Sequence, residues 1–126
     1  MKTEEFRRKI IEPYLNVWVN GTWTWNENGS VDVEGNVEIL NFPNSKLPFK
    51  FGTVNGWFIC SDNSLTTLEG VPDKVTKNFG CSRNRLKTLK FAPKEVGGHF
   101  WCQSNFTKFT EEDVRNVCQV YDNIYV

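Results

Sequence analysis

The chain holds one histidine, His99, and its four cysteines include no C-x-x-C pair. No metal-ligand spacing can be written from these residues, and a Ser-His-Asp or Cys-His arrangement finds no motif to support it. Net charge is also missing: fifteen Lys and Arg balance fifteen Asp and Glu. Nothing in that balance asks for nucleic acid, a membrane surface or an acidic substrate. No stretch approaches the ~20 apolar residues of a spanning helix, and the opening MKTEEFRRKIIEPYLNV lacks the basic end and apolar run of a secretory signal. The expected location is therefore the cytoplasm, with no membrane partner, and the sequons at Asn20, Asn28 and Asn105 read as chance matches. At 126 residues the chain fits a single domain with one core, burying roughly two-thirds of the surface its unfolded form exposes.

What is present is a repeat. Phe58, Phe79 and Phe100 lie 21 residues apart, as do Cys60, Cys81 and Cys102, and Asn63, Asn84 and Asn105. Leu65/Leu86, Leu68/Leu89, Pro72/Pro93 and Val75/Val96 keep the same step, and Val33, Val37, Ile39 and Leu47 extend it backwards. Within each unit F-x-C alternates as a half-buried strand does, while N-x-L-x-x-L and the following Pro demand a turn and a return segment. One unit cannot bury its own apolar face, so the units must stack with their strands parallel. The fold class expected is a short β-solenoid with capped ends.

The caps differ in kind from the repeats. Thr3 to Glu12 reads as an amphipathic helix with Phe6, Ile10, Ile11 and Tyr14 on one side, stopped by Pro13 soon after. TWTWNENGSVDV reads as a hairpin turning at Asn28-Gly29. Thr110 and Asp113 form an approximate capping box for a short C-terminal helix, and NIYV supplies a final strand. The division is then 1–36 for the N-terminal helix and hairpin cap, 37–109 for the repeat stack and 110–126 for the C-terminal cap.

The spacing F-x-C-x-x-N-x-L-x-x-L-x-x-x-P-x-x-V resembles a leucine-rich repeat of the short bacterial type, with Phe and Cys in place of the usual strand leucines. The fuller wording, GSVDVEGNV followed by LPFKFGTVNG and APKEVGG, is similar to small leucine-rich-repeat-like proteins encoded by tailed bacteriophages, from about Trp23 to the end. That resemblance implies a viral protein made during infection. It would act in the host cytoplasm by binding a host protein, a defence component among the candidates, and inhibiting or modulating it.

Cys60, Cys81 and Cys102 have inward parity and read as free thiols filling a narrow column, and the asparagine column reads as turn-satisfying. Neither is assigned a ligand, and the chain is expected to be non-catalytic and to need no cofactor or metal. Binding is the more informative reading. If Phe58 and Cys60 point inward, Trp57 and Ile59 point out, and the repeat step aligns them with Asn78 and Gly80 and with His99, Trp101 and Gln103. Gly80 is expected to leave a gap between Ile59 and Trp101. This face suits a protein partner; a small ligand or nucleotide held between Trp57, Ile59, His99 and Trp101 is the alternative, and self-association through the tryptophans stays open. A secondary basic spot comprises Arg83, Arg85 and Lys87, with Lys90 and Lys94 following. The equivalent positions one unit earlier are not basic, so the spot does not track a nucleic acid along the stack.

Overall fold

The computed structural model describes residues 4–126. Residues 4–18 form one helical segment: α1 (Glu4–Phe6), a π turn (Arg7–Ile11) and α2 (Glu12–Trp18). Thr3, the expected start, lies outside the described residues. Pro13 does not stop the helix. The turn before it widens, with the Glu12 N–H donating to the Arg7 carbonyl, and Pro13 follows as the second residue of α2, so the wider turn takes up the missing N–H and the bulk of the ring. The same widening takes Ile10 off the inner side: it is 49% exposed, whereas Ile11, Leu15 and Trp18 are buried.

β1 (Val19–Trp25) and β2 (Val31–Glu38) form the expected antiparallel hairpin, in register from Val19 opposite Val37 to Trp25 opposite Val31. Gly21 and Gly35 face each other across it at φ +146° and +138°. A Cβ on Gly21 would lie 2.1 Å from the Glu34 carbonyl oxygen, so the two backbones meet where only hydrogens fit.

β2 is also the first coil of the stack. Its first half pairs in parallel with β3 (Phe51–Asn55) and its second half with β4 (Phe58–Ile59). From there the sheet continues in two lines. One runs through β5 (Lys74–Val75), β7 (Glu95–Val96) and β9 (Gln119–Val120); the other runs through β6 (Phe79–Gly80), β8 (Phe100–Trp101) and β10 (Ile124–Tyr125). The molecule is thus a β-solenoid of five coils, β2, β3–β4, β5–β6, β7–β8 and β9–β10.

Each inward position repeats through the stack. Val33, Val54, Val75, Val96 and Val120 pair in one column, and Val37, Phe58, Phe79, Phe100 and Ile124 in the next. The rings of Phe51, Phe58, Phe79 and Phe100 contact one another in series at centroid distances of 5.1, 6.0 and 5.0 Å. Each is fully buried, contributing roughly 1.5–3 kcal/mol by removal from water. All four cysteines are free and buried. Burial raises the Cys60 and Cys118 thiols to about 12 and Cys102 to about 11, and holds Cys81 well above its ordinary value.

At the bend, Asn41, Asp62, Arg83 and Ser104 occupy one column in the left-handed region, at φ +55°, +61°, +54° and +58°. The asparagines fix the turns that follow. The Asn84 amide donates to the carbonyls of Cys60 and Cys81 at 2.9 and 3.1 Å, and its oxygen accepts the Leu65 N–H at 3.1 Å. Asn63 and Asn105 bridge their own coils in the same way.

At the C-terminal end, α3 (Glu111–Arg115) opens with a complete capping box. Thr110 N–H donates to Asp113 Oδ2 at 2.9 Å, and Asp113 N–H donates to Thr110 Oγ1 at 3.1 Å. The helix lengthens the step: Val96 pairs with Val120 and Phe100 with Ile124, 24 residues on where earlier coils advance by 21.

Candidate functional site

The second strand of each coil presents three outward positions. The column nearest the corner is Asn36, Trp57, Asn78, His99 and Asn123, and next to it run Glu38, Ile59, Gly80, Trp101 and Tyr125. Leu40, Ser61, Ser82 and Gln103 follow by the same alternation. The predicted residues Trp57, Ile59, Asn78, Gly80, His99, Trp101 and Gln103 therefore share one rigid sheet face, though their parts in it differ.

Several of them hold the face together. Asn36 Oδ1 accepts the Trp57 N–H at 3.0 Å, and Asn78 Oδ1 accepts the His99 N–H at 2.8 Å. His99 continues the series, its Nδ1 accepting the Asn123 N–H at 3.1 Å. The same Nδ1 lies 3.5 Å from Asp122 Oδ1. In the third column the Ser61 and Ser82 hydroxyls accept the N–H groups of Ser82 and Gln103, both at 3.1 Å.

The gap expected at Gly80 is not open. Gly80 is buried, and a Cβ placed there would come within 3.0 Å of Ile59 Cδ1 and 3.2 Å of Ser61 Oγ. With no side chain beneath it, Ile59 leans over the glycine and closes the space. The face is accordingly a surface with two aromatic ends joined by a low middle of Ile59, Asn78 and Gly80.

At one end, Trp57 is 40% exposed and borders a cleft of about 190 Å³ with Val17, Glu38 and Leu40. At the other, Trp101 stacks on Tyr125 with ring centroids 5.7 Å apart and planes 18° from parallel. His99 closes the group, 5.6 Å from Trp101 and 5.7 Å from Tyr125. Tyr125 was missed by sequence reasoning because the longer last step removes it from the 21-residue alignment. Its signal was the alternation of the final strand itself.

The basic spot is more divided than its sequence suggests. Arg83 pairs with Asp62 one coil earlier, through Nε to Oδ1 and through Nη2 to Oδ2, the latter at 2.8 Å. This bond holds the Asp62 carboxyl below its ordinary range, and it removes Arg83 from the free charge of the spot. Arg85 and Lys87 remain exposed without an ion-pair partner among the described residues.

Among the described residues no group of three His, Cys, Asp or Glu side chains is placed to hold a metal ion, and no helix is long and apolar enough to cross a membrane. Comparison with protein-family models, curated proteins and solved structures finds no match to this chain.

Proposed function

We propose that this protein is a non-catalytic binding module whose partner is another protein, engaged by the outer strand face. The observation that carries the reading is the half-exposed group His99, Trp101 and Tyr125, which shares a rigid parallel sheet with Trp57. Aromatic side chains of this kind supply most of the affinity at interface centres, and a preformed sheet limits the ordering cost of binding. The resemblance to phage-encoded repeat proteins extends the proposal to a cytoplasmic host protein that is bound and thereby inhibited or modulated. Enclosure of a small ligand between the tryptophans has less support, since Ile59 covers Gly80 between them.

The test is capture from bacterial lysate by the tagged chain, with native mass spectrometry of what is retained. A stoichiometric protein lost on Trp101→Ala supports the reading. A small-mass adduct alone, or a protein retained equally by the variant, overturns it.

A further inference from the structure

Along the return segments lie two adjoining clefts of about 520 and 820 Å³, the first between the segments after β6 and β8 and the second reaching back to Glu69 and Asp73 after β4; they share Leu89, Lys90, Asn116 and Val117. Leu89 and Phe109 are buried beneath the first and give it an apolar floor. Lys87, Lys90 and Lys94 stand around the opening.

Beside these three lysines the groove's lining includes Lys50, Glu69, Asp73 and Asp113, a net charge of one positive. Among the described residues, none of these three lysines has an ion-pair partner. The acidic residues that border the groove are already engaged: Glu69 with Lys46, Asp73 with Lys50, and Asp113 with the Thr110 N–H. Two exposed rings stand with the lysines. Lys90 Nζ lies 5.1 Å from the centroid of Phe91, and Lys87 Nζ lies 5.9 Å from that of Phe106.

Phe91 is 49% exposed at φ +71°, in the position that Gly70 occupies one coil earlier at φ +102°. A bulky residue is strained there, and neither core packing nor a buried contact accounts for its presence.

We infer that this groove binds an extended protein segment in which acidic residues flank an apolar one. The apolar side chain enters over Leu89 and Phe109, against Phe91, while the carboxylates meet Lys87, Lys90 and Lys94. The unpaired lysines call for an anionic occupant, and the apolar floor of Leu89 and Phe109 favours a peptide with a hydrocarbon side chain over a nucleic acid, which has none to seat there. The site shares no residue with the outer strand face, so it stands or falls apart from the function proposed above.

The experiment is fluorescence anisotropy with the full chain and three labelled probes: a dodecapeptide repeating Asp-Glu-Leu-Phe, its counterpart with Lys for each acid, and a thymidine dodecanucleotide. Only the acidic peptide should bind, more weakly as salt screens the lysines. Lys90→Glu should weaken it by about tenfold or more, and Phe91→Gly should weaken it while keeping the circular dichroism and melting behaviour of a folded chain. Trp57→Ala should leave it unchanged. The inference is overturned if the acidic peptide does not bind, if the basic peptide or the oligonucleotide binds as well, or if Lys90→Glu or Phe91→Gly retains wild-type affinity.

Discussion

Asn84 shows how much one side chain holds in a stack whose turns carry few other donors. Its amide serves two carbonyls and its oxygen one N–H, all at a buried bend. Asn84→Ala leaves those groups without partners and should cost about 2–4 kcal/mol in urea unfolding, against about 0.5 kcal/mol or less for Asn55→Ala at the exposed surface. Equal losses at the two positions would remove the asparagine column from the account. The cysteines make a second prediction at this scale. Their folded pKa values are raised above 9.0, to about 11 for Cys102 and about 12 for Cys60 and Cys118. The unfolded thiols therefore ionise first, so this contribution to stability is complete below about pH 9 and declines as pH rises toward the folded values. Denaturation midpoints should fall across that window, with a shallower fall for Cys60→Ala. At about pH 8 the native thiols should resist alkylation that proceeds readily in denaturant. The inward parity of the cysteines was legible because alternation in F-x-C fixes it. The pairing of Arg83 with Asp62 was not, because two residues a full repeat apart become neighbours only through stacking.

Elements in this fold are strong only together. Strands as short as two residues, such as β4 and β6, have little independent stability, and their cohesion comes from the columns behind them. Leu86 is fully buried between coils. Leu86→Asp places an unpaired charge there and should cost about 3–5 kcal/mol, read as a lowered denaturation midpoint. A variant that unfolds like wild type would contradict the stacking. The hairpin depends on contact of another sort. Gly35→Ala puts a Cβ 2.2 Å from the Asn20 carbonyl oxygen, so β1 must separate from β2 locally, and amide exchange in residues 19–25 should accelerate. The repeat, the hairpin and the capping box were each legible from local spacing. The passage of the helix through Pro13 was not, since a proline reads as a stop unless the wider turn before it is known. Gly80 misled for a related reason: a missing side chain reads as open space, yet in a packed column its neighbour Ile59 takes that space.

For the molecule as a whole, the outer face joins residues from every coil, and its aromatic ends can be altered without entering the core. Trp57→Ala and Trp101→Ala should each reduce partner capture by about thirtyfold or more, with little change in melting temperature, while Arg85→Ala should leave capture nearly intact. The reverse order, in calibrated titrations with the recovered partner, would relocate the interface to the basic edge. The face itself was legible because alternation assigns its residues. Its last member, Tyr125, was hidden by the 24-residue step. The regular step before it has a separate consequence. Residues 53, 54, 58, 59 and their successors meet their equivalents with no change of register between coils, so the segment 77–97 is a portable length of chain. A duplicate inserted after residue 97 would meet matching neighbours on both sides and extend the stack by about 4.8 Å. The added coil would move the His99 and Trp101 end away from Trp57 by that increment, making the distance between the two aromatic ends a quantity that whole-repeat gain or loss could set in steps.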